Sequence, residues 1–167
     1  EELVFGGESG RRAQLGQIDE AEQWAYACQQ AGWPVEQVTE FRTQFFAGDR
    51  LDTGLLAFIN NLHQDYKTGI ISNALSRTRA LIEGPWAMGT LFDTIVLSAE
   101  VGVMKPDPRI YLLALQQLAV QPERAVFIDD FEHNIAGAQA IGMNGIHFRS
   151  PAQLVADLGA LLDSAGA

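Results

Sequence analysis

The sequence is poor in cysteine and in positive charge, and it has no long apolar run. Cys28 is the single cysteine, so no internal disulfide can form and a disulfide-stapled scaffold is excluded. It falls in a helical pattern and reads as a small buried apolar residue rather than a nucleophile. Eleven Lys and Arg stand against 21 Asp and Glu, a formal net charge of -10, with no basic run. That excludes a nucleic-acid surface, since nothing is available to neutralise a row of phosphates. It leaves room for a small phosphorylated ligand held by one or two local cations. No apolar stretch approaches the roughly 20 residues of a membrane span, and no secretory signal opens the chain. With the lone cysteine, these absences predict a cytoplasmic protein with no membrane partner.

What is present is globular. Hydrophobic residues make up 47% of the 167 and charged residues 19%, enough for one domain with a core, or a core plus a small appendage. Residues 1–48 read as a partial helical module. Asp19 followed by Glu22 resembles a capping box, and Ala21, Trp24, Ala25, Cys28 and Ala31 form an apolar face that Gly32 ends. After Pro34, Val35, Val38, Phe41 and Phe45 mark a second helix ending near Gly48.

Residues 49–167 change to alternating helix and strand. Leu55, Leu56, Ile59 and Leu62 mark a helix, and strands are predicted at 68–72, 94–98, 125–128 and 145–148. Between them fall helices at about 76–83, after Asp107 and Pro108, and at 133–141. The second of these buries Tyr111, Leu112, Leu115 and Leu118. A last helix opens at Ser150–Pro151 and turns Leu154, Val155, Leu158, Leu161 and Leu162 inward. Such alternation predicts a Rossmann-like α/β core, a mainly parallel sheet with helices on both faces. Ala125, Val126, Phe127 and Ile128 read as a strand buried on both sides.

That strand runs straight into two acids, Asp129 and Asp130. Neighbouring carboxylates at the mouth of a low-dielectric core repel, so something must offset their charge, and a cation is the expected partner. Ligands in parallel sheets bind at the carboxyl ends of strands, and two further polar positions lie there. The strand at 68–72 ends in Ser72 and Asn73, and the loop after 94–98 holds Lys105. Each has a plainer explanation when taken alone. Ser–Asn after a strand is ordinary turn chemistry, Lys105 can be a solvated loop residue, and Asp130 can cap the following helix. Together they supply a phosphate-binding hydroxyl and amide, a neutralising lysine and a carboxylate pair for Mg²⁺, the parts that phosphoryl transfer requires.

These segments resemble the haloacid dehalogenase (HAD) superfamily of hydrolases, in the branch with a small helical cap inserted after the first core strand. "GIISNA" resembles the family's second motif, "GVMKPDPRIY" its lysine motif and "AVFIDDFEHNIAGAQAIGMNGIHF" its acidic motif with the helix and strand that follow. "LGQIDEAEQWAYACQQ" resembles the first part of the cap. The resemblance implies that Ser72 and Asn73 bind the transferring phosphoryl group and that Lys105 bridges phosphate and nucleophile. It implies that Asp130 ligates Mg²⁺, with Asp129 in support, and that Asn134 orients the acidic loop. His133 reads as a solvent-facing residue at a helix start.

The family's nucleophile lies in an Asp-x-Asp segment at the end of the first strand, and no such segment occurs here. Asp49 and Asp52 in "GDRLDTG" have the wrong spacing and precede a helix. The expectation is that a first core strand with its loop and helix, roughly 20–40 residues, is missing from this chain, which alone would be inactive. The leading expectation is a Mg²⁺-dependent phosphatase acting on a small phosphorylated metabolite through an aspartyl-phosphate. The alternatives are a metal-independent 2-haloacid dehalogenase of the same fold, or a non-catalytic relative that binds a ligand or partner. Trp24, Trp33 and Phe46 are candidates for a cap cleft or for core. Trp86 is a candidate surface contact, and Arg11 and Arg12 a candidate anion contact or a solvated face.

Overall fold

Helical periodicity in the first third yields helices throughout, in a computed structural model that describes residues 2–165. α1 (Glu2–Phe5) and α2 (Gly7–Gln14) lead into α3 (Glu20–Gln30), whose start is capped by Asp19 accepting from the Ala21 N–H at 2.7 Å. A four-residue helix such as α1 cannot satisfy its own carbonyls. Here the fully buried Gln23 of α3 donates to Val4 O at 2.8 Å, and Gln14 of α2 donates to Phe5 O at 2.8 Å. After a 3₁₀ turn at Val35–Gln37 comes α4 (Val38–Phe45). Val4, Ala13, Trp24, Ala27 and Leu75 form a buried cluster, with Phe41 and Phe45 packed on it. Trp24 meets Phe45 edge-on at 5.3 Å between ring centroids. Trp24 is therefore core, whereas Phe46 is exposed and Trp33 half-buried. Cys28 is fully buried and free.

α5 (Thr53–Leu62) is capped by Asp52, which accepts from the Leu55 N–H at 2.9 Å. β1 (Gly69–Ser72) follows, then α6 (Thr78–Glu83), β2 (Thr94–Leu97) and the short α7 (Ser98–Val101). β1 and β2 pair in parallel, with Ser72 opposite Leu97. Next come α8 (Pro108–Leu118), β3 (Val126–Asp129), α9 (Glu132–Gln139), β4 (Asn144–His147) and α10 (Pro151–Ala165). β3 and β4 also pair in parallel, with Asp129 opposite His147. Every ladder among the described residues is parallel, as the alternation predicts. They make two two-stranded sheets rather than one continuous one.

The chain divides into two compact units, Glu1–Met104 and Lys105–Ala167, each with one of the sheets. The helices of residues 1–48 thus share a unit with β1 and β2, because Leu75, just past β1, is buried in the Trp24 cluster. No helix among the described residues is long and apolar enough to cross a membrane.

Several expectations about burial need correction. On α3, Ala21 and Ala31 are exposed, and Gln23, Trp24, Ala27 and Cys28 form the buried side with Glu20. Leu112 is 48% exposed; the stripe of α8 is Ile110, Tyr111, Ala114 and Leu115, and Leu112 stands about 100° from Tyr111 around the helix. Val155 is 45% exposed for the same reason, while Leu154 and Leu158 are buried. β3 is not buried on both faces: Phe127 and Asp129 are buried, Val126 and Ile128 only half so. Phe127 and Asp129, two residues apart, share the well-covered face, and Val126 and Ile128 the other.

Candidate functional site

The polar residues singled out in the sequence collect at two strand ends, one in each compact unit. At the end of β3 a charge has been taken out of water. Asp129 is 8% exposed. Its Oδ2 accepts from Lys105 Nζ at 2.5 Å, and its Oδ1 accepts from the Phe131 N–H and from Asn134 Nδ2, both at 2.9 Å. Burial by itself would push this carboxyl up. The Lys105, Asn134 and Phe131 hydrogen bonds outweigh it and hold the group below its ordinary value, so Asp129 is ionised. In this structure the cation set directly against Asp129 is Lys105, stacked over Phe127 with Nζ 5.5 Å from the ring centroid.

Asn134 is itself fixed from behind. It is 2% exposed, and Tyr111 donates its hydroxyl proton to Asn134 O at 2.8 Å. Burial and the nearby Asp129 charge both raise the Tyr111 pKa, keeping the phenol a donor. Asp130 differs from its neighbour in being exposed. Its carbonyl accepts from His147 Nε2 at 2.9 Å, which fixes the proton on that nitrogen because a carbonyl cannot donate. His133 is exposed on α9, near Phe131.

The end of β1 carries no such charge. Ser72 and Asn73 are half-buried. The chain beyond them is pinned twice. The Ala74 N–H donates to the Oγ of the fully buried Ser98 at 2.9 Å, and the Arg77 N–H donates to Glu20 Oε2 at 2.9 Å. Arg11 and Arg12 are exposed on the last turn of α2, and Trp86 is 38% exposed.

The oxygens near Asp129 suit a hard cation. The Asp130 carboxylate is open to solvent, and Asn134 Oδ1 is buried without a hydrogen-bond partner among the described residues. Carboxylate, amide and water oxygens are what Mg²⁺ prefers, usually with one or two carboxylates only. No group of three or more His, Cys, Asp or Glu comes together among the described residues, so these residues offer part of a coordination shell.

Sequence reasoning missed His147, Ser98 and Glu20. His147 was recoverable, since parallel pairing puts the last residue of β4 beside Asp129. Ser98 had a hint in "TIVLS", which ends as "TGIIS" does. Glu20 had none, its partner lying 57 residues away.

The chain belongs to the haloacid dehalogenase-like hydrolases, whose family model matches residues 3–142. It is 44% identical over 71 residues to mouse acyl-CoA dehydrogenase family member 10 (Mus musculus), a match covering 42% of this chain and 7% of that protein. It is 31% identical over 109 residues to a phosphatase of Mycobacterium tuberculosis, covering 60% of this chain and 50% of that one. The chain thus spans half or less of these relatives. Its fold is that of a HAD-like family hydrolase of Porphyromonas gingivalis, with a TM-score of 0.77 at 21% identity, covering 96% of this chain and 82% of the other. A HAD family enzyme of Bacteroides thetaiotaomicron, solved with magnesium and inorganic phosphate, matches with a TM-score of 0.70 at 22% identity, covering 84% and 74%.

Proposed function

We propose that the chain supplies the phosphate-binding and metal-holding parts of a Mg²⁺-dependent phosphatase for a small phosphorylated metabolite. The observation that carries this reading is the Asp129–Lys105 pair with Asn134, an ionised carboxylate held at a strand end beside the exposed Asp130. Asp130 would hold the metal directly, with Asp129 in support through water. The bound ion supplies positive charge for phosphate oxygens. The Ser72 hydroxyl and the Asn73 amide would donate to the phosphoryl group. Lys105 adds a cation whose position Asp129 sets. The helices of residues 1–48 would serve as the substrate-selecting cap. The chain contains no Asp-x-Asp segment after an apolar strand, so the reading assigns no nucleophile within it. A cytoplasmic setting belongs to the same reading, and the free, buried Cys28 agrees with it.

Calorimetric titration with inorganic phosphate, with and without MgCl₂, tests it. Phosphate should bind more tightly with Mg²⁺, and Asp130→Asn should abolish that gain. Equal affinity in EDTA would overturn the reading. One observation favours the second reading, a metal-independent 2-haloacid dehalogenase: Asp129 is already neutralised by protein groups alone. Turnover of a 2-haloacid that survives EDTA would select it. Phosphate and Mg²⁺ binding without p-nitrophenyl phosphate turnover in the whole protein would point to a non-catalytic relative.

A further inference from the structure

Glu20 opens α3 with only 4% of its surface exposed, in a helix position where glutamate is ordinarily hydrated. Three donors from three parts of the chain meet its carboxylate. Trp24 Nε1 donates to Oε1 at 3.3 Å, Arg42 Nη2 of α4 pairs with Oε1 at 3.0 Å, and the Arg77 backbone N–H donates to Oε2 at 2.9 Å. The Arg42 guanidinium also lies 5.6 Å from the Trp24 ring centroid. Capping does not explain why this carboxylate is desolvated, because Asp19 already caps α3. What the carboxylate adds is a link between two helices and a loop.

That loop is the segment leaving β1. Ser72 and Asn73 open it, Ala74 and Leu75 are each 5% exposed, and Arg77 closes it. Ser98 pins it at Ala74 and Glu20 pins it at Arg77, so its course is set from the start of α7 on one side and α3 on the other. We propose that Glu20 is a positioning residue. Through the Arg77 N–H it fixes the segment that presents Ser72 and Asn73, and through Arg42 it couples that segment to the packing of α3 on α4. The consequence for ligand binding rests on the reading of Ser72 and Asn73 as phosphate-binding groups.

The test separates the Glu20 carboxylate from the side chain whose backbone N–H it receives. E20A removes the acceptor, E20D keeps the charge but withdraws the oxygens by one methylene, and R77A keeps the N–H while removing the guanidinium. On the full chain, calorimetry with inorganic phosphate and amide exchange across residues 73–76 are measured for wild type, E20A, E20D and R77A. E20A and E20D should each weaken phosphate binding and speed exchange by about tenfold, with R77A within about twofold of wild type. A purely structural role would lower the melting temperature and leave phosphate affinity unchanged well below it, which would overturn the proposal. So would an R77A loss equal to that of E20D, which would put the effect on the guanidinium. If E20A does not fold, E20D alone decides between these outcomes. Exchange judges the anchor alone: faster exchange in E20D but not R77A, without phosphate binding in the wild type, upholds the anchor and strikes only the phosphatase reading.

Discussion

The two strand ends that carry polar chemistry are held in different ways. At β3 a carboxylate is buried and must be compensated, so a lysine, an asparagine and a backbone N–H converge on one side chain. At β1 the groups are neutral and half-buried, and restraint falls on the backbone beyond them, through Ser98 and Glu20. A buried charge demands direct partners, because an unpaired one costs more than any single hydrogen bond returns. Neutral groups make no such demand. The difference teaches that at β3 the cost of disturbance lies in the polar side chain at the strand end itself, and at β1 in the anchors behind it.

The sharpest way to break this comparison is Lys105→Met. It should leave the burial of Asp129 opposed only by Asn134 and the Phe131 N–H, and cost about 3–5 kcal/mol in urea unfolding. A loss under about 1 kcal/mol would mean that Asp129 does not depend on its cation. Asn134→Ala comes next, at about 1–3 kcal/mol, since it removes a charge-assisted hydrogen bond in a buried setting. Tyr111→Phe deletes the donor to Asn134 O and should cost about 1 kcal/mol by the same measurement. Ser72→Ala should change stability by less than about 0.5 kcal/mol yet lower phosphate affinity, a split that calorimetry and urea unfolding resolve together.

Acid sharpens the same contrast. The Asp129 carboxyl is held below its ordinary value of 3.8 in the fold, so its contribution is complete above that value. It is lost as pH falls through the lowered folded value. Stability followed by circular dichroism should therefore decline below about pH 4 in wild type. In Asp129→Asn that part of the decline should vanish.

Local signals were legible in the sequence, and distant ones were not. The caps at Asp19, Asp107 and Ser150 act within three residues of themselves, and each is where the pattern puts it. Parallel pairing followed from the alternation of helix and strand. The helix phases at Leu112 and Val155 misled because adjacent apolar residues offer two candidate stripes, and tertiary packing chooses one. The need to offset Asp129 was legible and Lys105 was singled out for the same site, but their direct pairing was not legible, since they lie 24 residues apart along the chain. Glu20 reads as one more acid at a helix start, and only the folded loop at Arg77 makes it a buried link.

Tyr111 gives this molecule a built-in optical gauge. Of the three tyrosines, Tyr26 and Tyr66 are exposed, while Tyr111 is sealed among apolar neighbours with its hydroxyl on Asn134. Burial, with the Asp129 charge nearby, holds its phenol protonated beyond the ordinary range. In an alkaline titration, the absorbance step belonging to this one ring should lag until the chain around α8 and α9 lets go, marking that event without any added label.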